Sequence, residues 1–258
     1  MSAPALQVAG LRKSFGGLRA VDDASFVVPS GSLTALIGPN GAGKTTVFNL
    51  VTNLVPRDGG DISFFGASLA ALPPSAIAGL GLLRTFQTAR VFPGMTALEN
   101  VLVGAHRQVR SHPLWQMLSL PGARGEERAL TARAEALLEL VGLAGFRDVA
   151  ATSLPMGAQK LVETCRALMA QPRLLLLDEP AAGLNDAETA ELADLLRAVR
   201  DSGVTIMVVE HNMSLVMDVA DQVIVLDLGG VIASGAPRDI QRDPRVIEAY
   251  LGLAPGEA

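Results

Sequence analysis

The segment Gly38 to Thr46, GPNGAGKTT, has the residue types and the spacing of a loop that binds phosphate groups. Its backbone N–H groups and the N-terminus of the following helix would cradle the β- and γ-phosphates of a nucleotide. Lys44 would add a positive charge, Thr45 would ligate Mg²⁺ through its hydroxyl, and Thr46 would face the α-phosphate. A plain glycine turn is disfavoured because all the motif positions match. The predicted loop residues are Gly38, Pro39, Asn40, Gly41, Ala42, Gly43, Lys44, Thr45 and Thr46.

The segment LLLLDEP, Leu174 to Pro180, predicts a buried strand that delivers two adjacent carboxylates. Because side chains alternate along a strand, Asp178 and Glu179 would point in different directions. Asp178 would hold Mg²⁺, directly or through water, and Glu179 would act as general base on the attacking water. A solvated acidic turn is the alternative interpretation, and the phosphate loop upstream favours the catalytic one.

The elements around these residues predict an α/β fold. SLTALIG (32–38) is typical of a buried strand, and GKTTVFNLVTNL has apolar residues at helical spacing up to Leu54. Short strands are predicted over 5–28, where apolar residues alternate with polar ones. After Leu154, helices alternate with the strands LLLLDEP and VTIMVVEH, which implies a parallel sheet covered on both faces. From about Gln87 to Leu154 the chain is predicted to be helix and loop, and 106–127 has no clean period.

The composition predicts a folded chain without an extended nucleic-acid surface. Of the 258 residues, 49% are hydrophobic and 18% are charged, and the formal net charge is −5. The single cysteine, Cys165, excludes an intramolecular disulfide. The N-terminal residues do not have the pattern of a secretory signal, and no apolar window reaches the length of a membrane span.

The phosphate loop and the two carboxylates fit any ATPase of the phosphate-loop class, and three further features narrow that class. Gln87 lies in RTFQTARVFPGMTALENV, AAGLND follows the two carboxylates, and His211 follows the strand in VVEHN. In this order and spacing, and over almost the whole chain, they resemble the nucleotide-binding subunits of ABC transporters. The resemblance implies a phosphate-loop NTPase core with a parallel sheet, an N-terminal antiparallel β subdomain and a helical ABC-type subdomain. In this single domain (1–258), the core and β subdomain would cover about 1–86 and 160–258, and the helical subdomain about 87–159.

The resemblance also implies roles for individual residues. Phe15 would stack on adenine, although a Phe in a short strand is usually a core residue, and Val21 would flank the nucleotide. Gln87 would sense Mg²⁺ and the attacking water, and His211 would contact the γ-phosphate. Asn185 lies where many relatives carry aspartate. The implied metal-binding residues are Thr45, Gln87 and Asp178.

The segment LPMGAQ corresponds to the signature of the family, Leu-Ser-Gly-Gly-Gln, and only Leu154 and Gly157 agree. In the family this loop touches the γ-phosphate of ATP bound to the partner subunit. Pro155 has neither the hydroxyl nor an N–H group, and Met156 lies where an aromatic residue is common. Because proline is tolerated in the first turn of a helix, the N–H groups near Gly157 and the helix dipole would remain for phosphate binding.

Several stretches carry a closer resemblance within the family, namely RTFQTARVFPGMTALENVLVGAH, the long insert that follows it, DEPAAGLN, VVEHNMSLVMDVADQVIVLDLGG and VIEAYLG. In these stretches the chain most resembles the ATPase subunits of branched-chain amino-acid uptake systems. This implies ATP and Mg²⁺ as cofactors, a second ATPase subunit that is the same chain or a different one, two membrane-spanning permease subunits and, indirectly, an extracytoplasmic solute-binding protein. No nucleic acid is expected as a partner. The expected location is the cytoplasmic face of the bacterial inner membrane. The region after Gln87, through about Glu99, would contact the permease or, alternatively, be buried within the insert.

Other functions are weighed against this one. The same architecture could import urea, short amides or another small polar solute, and export of lipid-linked material fits less well. A soluble ABC ATPase of DNA repair or translation would carry two nucleotide domains or a long coiled-coil insert. A GTPase would need an Asn-Lys-x-Asp motif, which is not found. A module that only binds nucleotide is disfavoured by Glu179 and His211.

Overall fold

The structure is a computed structural model that describes residues 3–85, 90–106, 108 and 121–251. By its internal contacts the chain divides into two compact units. The first unit holds the residues up to Arg84, Arg173–Glu179 and those from Leu196 onward. The second holds Thr85–Pro172 and Pro180–Leu195.

The described elements are named in chain order. The strands are β1 (Leu6–Phe15), β2 (Leu18–Val28), β3 (Leu33–Ile37), β4 (Gly59–Phe64), β5 (Ala67–Ser68), β6 (Leu82–Arg84), β7 (Leu174–Asp178), β8 (Thr205–Val209), β9 (Gln222–Asp227) and β10 (Gly230–Gly235). The helices are α1 (Lys44–Val51), α2 (Pro74–Gly79), α3 (Ala97–Val103), α4 (Pro121–Leu140), α5 (Met156–Met169), α6 (Asp186–Asp201), α7 (Met213–Val219), α8 (Pro237–Ile240) and α9 (Pro244–Leu251). None of these helices is long and apolar enough to span a membrane.

The first unit contains both sheets. The smaller sheet has the order β2-β1-β4-β5, and all its neighbours are antiparallel, which confirms the predicted N-terminal β subdomain. The larger sheet has the order β10-β9-β3-β8-β7-β6 and is parallel from β9 to β6. Strand β10 extends it as an antiparallel hairpin with β9.

The parallel strands position the candidate site. Every residue of β3, β7 and β8 is buried, as expected for strands covered on both faces. Because these strands are parallel, their carboxyl ends lie at one edge of the sheet. The phosphate loop follows β3, Glu179 follows β7 and His211 lies two residues after β8, so all three positions belong to that edge.

Helix α1 is shorter than the sequence predicts. The apolar spacing predicts a helix up to Leu54, but α1 ends at Val51 and Thr52 forms its C-cap. Asn53 then adopts a left-handed backbone with φ 52°, and the N–H of Leu54 donates to the carbonyl of Asn49 at 2.9 Å. Leu54 is exposed, so no core contact extends the helix that far.

Helices α3, α4 and α5 build the second unit. Helix α3 starts with a capping box, in which Thr96 accepts from the N–H of Glu99 and Glu99 accepts from that of Thr96. Helix α4 begins at Pro121, within a stretch in which the sequence shows no clean period. Because α5 packs on α3 and α4, the contacts place it in the second unit, beyond the predicted boundary at residue 159.

Candidate nucleotide-binding site

Two glycines of the phosphate loop are required by close backbone contacts. A Cβ atom on Gly38 would lie 2.0 Å from the carbonyl oxygen of Leu226 in β9, and one on Gly43 would lie 2.2 Å from that of Ala20 in β2. Both glycines also have positive φ angles, +150° and +100°, which other residues rarely adopt. The loop is therefore shaped by the strands beside it before any ligand binds.

The N-terminus of α1 is available to an anion. Gly43 is the N-cap, and within the described part of the chain no side chain caps this end of the helix. The N–H of Val47 makes an early helical bond, to the carbonyl of Gly43 at 2.9 Å. The preceding N–H groups of the first turn, with the helix dipole, can therefore bind phosphate oxygens.

Lys44 is held against the loop that it follows. Its Nζ donates to the carbonyl oxygens of Gly38 at 2.7 Å and Pro39 at 2.8 Å. Burial lowers the pKa of Lys44 from 10.5, while the negative charges of Glu179 and Asp178 act in the opposite direction. The structure therefore brings together the predicted phosphate-binding lysine and both predicted carboxylates.

The two carboxylates leave β7 in different environments. Asp178 is the last residue of the strand and is 2% exposed. Glu179 is half-buried, has a left-handed backbone with φ 49°, and donates its N–H to the carbonyl of Val209 at 2.9 Å. A left-handed backbone is costly for glutamate, and such conformations cluster at functional sites.

Arg84 contacts Asp178, and the sequence did not indicate it as a site residue. Its Nη2 donates to Oδ2 of Asp178 at 2.7 Å, and its Nη1 donates to Oδ1 of Asn49 at 2.7 Å. Both side chains of the ion pair are buried. The remaining oxygen of Asp178, Oδ1, is buried and has no hydrogen-bond partner among the described residues. The only signal in the sequence is a basic residue shortly before Gln87.

The side chains beside the loop fit a bound Mg²⁺. Among the described residues, no three His, Cys, Asp or Glu side chains cluster as metal ligands would. Mg²⁺ does not need such a cluster, because it keeps several waters and binds one or two protein oxygens plus phosphates. The buried, unpartnered Oδ1 of Asp178 and the exposed hydroxyl-bearing Thr45 supply the oxygen ligands that this ion prefers.

A buried carboxylate fixes the backbone at His211. Glu210 is buried, and its Oε2 accepts from the N–H of His211 at 3.0 Å and from that of Asn212 at 3.2 Å. Asn212 caps α7 by accepting from the N–H of Leu215 at 3.1 Å. The side chain of His211 is exposed. Like Arg84, Glu210 was not indicated by the sequence, although it directly precedes the histidine whose backbone it holds.

The end of β1 presents an aromatic ring. Phe15 is 49% exposed, which excludes the alternative of a core residue, and Lys13 Nζ lies 5.4 Å from its ring centroid. Asp58 accepts from Lys13 Nζ at 2.8 Å and from the N–H of Ser14 at 2.7 Å, and these two contacts, Lys13 first, lower its pKa. Val21 is 1% exposed within the core, so its contact with a nucleotide stays a prediction.

The signature loop lies in the second unit. Pro155 is the N-cap of α5, with φ −53° and ψ 153°, so the helix begins directly after it. Pro155 and Met156 are exposed, whereas Leu154 is buried. Gly157 is buried as well, and a Cβ atom there would lie 2.5 Å from Cδ2 of Leu184. The loop therefore presents a helix N-terminus and two exposed side chains.

Asn185 has a structural partner of its own. Its Oδ1 accepts from the N–H of Glu188 at 3.0 Å, and Oε2 of Glu188 accepts from the N–H of Asn185 at 2.9 Å. This reciprocal cap begins α6, and a nucleotide contact of Asn185 stays a prediction. Gln87 lies outside the described residues.

The last described helix, α9, lies beside the end of the strand that leads into the phosphate loop. Tyr250 of α9 is 44% exposed, and the partial burial of its phenol raises the pKa of this group, while the nearby backbone of Gly38 acts in the opposite direction. The ring also lines an apolar pocket with Ile37, Met213 and Met217. Helix α9 therefore lies beside Ile37, the residue that directly precedes the phosphate loop.

Comparisons with known proteins identify the family to which a chain with these features belongs. The family model described as "ABC transporter" matches residues 21–182. The chain belongs to the ATP-binding subunits of ABC transporters. A second family model, "Branched-chain amino acid ATP-binding cassette transporter", matches residues 231–253, which include Tyr250. The predicted family, fold class and ATPase class are confirmed.

Individual ABC ATPases are similar over nearly the whole chain. The chain is 43% identical to the high-affinity branched-chain amino acid transport ATP-binding protein BraF of Pseudomonas aeruginosa, covering 98% of this chain and 100% of the relative. It is 42% identical to LivG of Escherichia coli K12, with the same coverage.

Solved structures of ABC ATPases have the same fold. A nucleotide-free ATP-binding cassette from an ABC transporter aligns with a TM-score of 0.81 at 31% identity, covering 96% of this chain and 98% of that one. The ADP conformation of an ATP-binding cassette of an ABC transporter also gives a TM-score of 0.81, at 32% identity, covering 96% of this chain and 99% of that one. The structural match therefore extends over both compact units of this ABC ATPase.

Proposed function

We propose that this ABC ATPase binds ATP with Mg²⁺ and hydrolyses it to drive the import of branched-chain amino acids. The observation that supports the hydrolytic part is the convergence of Lys44, Asp178 and Glu179 at the phosphate loop. The proposed cargo rests on the relatives BraF and LivG and on the C-terminal family match.

The residues of the first unit have distinct proposed tasks. Phe15 stacks on adenine, and the loop amides with Lys44 bind and orient the phosphates. When bound, Mg²⁺ neutralises charge on the phosphate oxygens, and Thr45 and Asp178 hold it, with Gln87 as a third proposed contact. Glu179 accepts a proton from the attacking water, and His211 contacts the γ-phosphate.

The signature loop would complete the site of a partner subunit. Leu154, Pro155, Met156 and Gly157 supply backbone and side-chain atoms at the N-terminus of α5, which favours an anion. The site of this chain would be completed by the loop of a second ATPase subunit. We therefore propose a dimer, with either the same or a different chain.

The family implies membrane-spanning permease subunits as partners. We propose that the segment from Arg90 to Glu99 contacts a permease, because Phe92 and Met95 expose apolar side chains there. An extracytoplasmic solute-binding protein would deliver the amino acid. The ATPase would lie on the cytoplasmic face of the bacterial inner membrane.

The hydrolytic proposal is tested in the complete transporter, assembled with its partner ATPase and permeases. Replacing Glu179 with Gln should lower ATP turnover by about 10²–10⁴-fold, because the general base is lost, while ATP still binds. Turnover and bound nucleotide are measured together. Glu139→Gln, at an exposed position of α4, is the matched control and should hydrolyse ATP at the wild-type rate.

Wild-type ATP turnover in the Glu179→Gln variant would show that Glu179 is not the general base.

The cargo is tested separately in the same assembly, with the solute-binding protein present. Leucine, isoleucine or valine should stimulate ATP turnover, whereas urea and acetamide should not. Stimulation by urea or acetamide alone would reject branched-chain amino acids as the cargo, while the proposed ATP hydrolysis would stand.

A further inference from the structure

We propose that Arg84 is a positioning residue that orients the carboxylate of Asp178 for the metal ion. The inference deepens the proposed ATPase function and rests on it. Arg84 is the last residue of β6, next to β7 in the parallel sheet, and its side chain is 6% exposed. The guanidinium thus lies inside the first unit, away from the solvent that weakens surface ion pairs.

The guanidinium joins two elements of the site. Its Nη2 binds Oδ2 of Asp178 at the end of β7, and its Nη1 binds the amide oxygen of Asn49 in α1, each at 2.7 Å. Its central carbon lies 5.5 Å from the ring centroid of Phe48, also in α1. A planar guanidinium holds two acceptors in a fixed geometry, which the single ammonium of lysine cannot do.

This geometry leaves one carboxylate oxygen for the metal. Arg84 bonds the carboxylate of Asp178 through Oδ2 and so fixes its orientation, while Oδ1 stays buried without a hydrogen-bond partner among the described residues. A buried carboxylate oxygen without a hydrogen-bond partner is energetically unfavourable unless a ligand supplies the missing polar contact. Mg²⁺, directly or through a bound water, is the ligand that the proposed reaction supplies there.

The opposite role, in which Arg84 competes with the metal, predicts an opposite result. A nearby positive charge repels Mg²⁺, so a purely electrostatic effect would make metal binding tighter when the charge is removed or displaced. If Arg84 instead positions Asp178, metal binding should become weaker when the planar guanidinium that holds both acceptors is lost, as for other groups that orient a metal ligand. The sign of the change therefore distinguishes the two roles.

The test measures the affinity of the protein for Mn²⁺, a probe for Mg²⁺, by electron paramagnetic resonance in the presence of saturating ATP. Arg84→Lys keeps the positive charge but removes the planar guanidinium that holds two acceptors, and it should weaken Mn²⁺ binding by about 10–100-fold. The affinity for a fluorescent ATP analogue in EDTA should stay at the wild-type value, because the loop amides and Lys44 are unchanged. Thermal unfolding without nucleotide verifies that the variant is folded.

Asn49→Leu provides a second route, because it releases Nη1 and leaves both members of the ion pair in place. It should also weaken Mn²⁺ binding, but by less than Arg84→Lys does. In the Arg84→Lys background it should cause no further loss of Mn²⁺ affinity. Unchanged or tighter Mn²⁺ binding in a folded Arg84→Lys protein would overturn the positioning role. A wild-type protein that binds no Mn²⁺ with ATP would instead reject the proposed function.

Discussion

Lys44 shows how one residue is prepared for a ligand before the ligand arrives. Its ammonium donates to the carbonyls of Gly38 and Pro39, and burial lowers its pKa from 10.5. The folded protein therefore disfavours the charged form, and its stability rises as the pH increases from the lowered pKa towards 10.5. Bound phosphates act in the opposite direction, since they favour the ammonium.

ATP affinity should consequently fall at alkaline pH, as Lys44 loses its proton below pH 10.5. Lys44→Ala should weaken ATP binding by about 10–100-fold, the effect of losing a charged hydrogen bond, and should remove this pH dependence. Fluorescence titration across the alkaline range measures both. Arg12→Ala, which removes an exposed ion pair with Asp23, should keep the wild-type profile. An alkaline slope that persists in Lys44→Ala would assign it to another group.

At the scale of elements, the contact between α3 and α5 depends on Gly104. A Cβ atom there would lie 1.9 Å from the carbonyl oxygen of Arg166 in α5, which is backbone and cannot turn away. Gly104→Ala should therefore destabilise the protein by about 1–3 kcal/mol or more, because the helices must separate. Urea unfolding measures this free energy.

Gly125 is the matched control, since it lies in α4 and a Cβ atom there would meet nothing within 4 Å. Gly125→Ala should stabilise the protein by about 0.5–1 kcal/mol, because alanine loses less backbone freedom in a helix. If both variants had the same stability, the close approach of α3 and α5 would not limit the second unit.

Elements with a strong local pattern could be predicted from the sequence, and the contacts between them could not. The apolar runs of β3, β7 and β8 indicate buried strands, and the glycine spacing indicates the phosphate loop. The end of α1 depends on the left-handed Asn53, which the apolar pattern does not show. The partner of Arg84 lies far away in the chain, so only the paired strands reveal it.

At the scale of the whole molecule, the only cysteine can report unfolding. Cys165 is fully buried in α5, and burial raises the pKa of its thiol to about 12. Because the folded state keeps the neutral thiol, this group contributes stability that is present below pH 9.0 and lost as the pH rises towards 12.

A thiol reagent at neutral pH should therefore react with Cys165 only when the surrounding structure opens. The labelling rate should rise with urea concentration in parallel with unfolding of the chain. Cys165→Ala gives the background rate and should also show a smaller loss of stability above pH 9.0. Labelling of the native protein at the rate of the unfolded chain would show that the thiol is accessible in the native state.

The position of Tyr250 beside the start of the phosphate loop makes this residue a candidate reporter of nucleotide binding. It is the only tyrosine in the chain, it lies in helix α9, and it lines a pocket with Ile37, which directly precedes Gly38. A nucleotide that shifts Gly38 alters the environment of this phenol and hence its ultraviolet absorbance. We expect nucleotide binding to change the tyrosine absorbance, so that it can be followed without an attached dye.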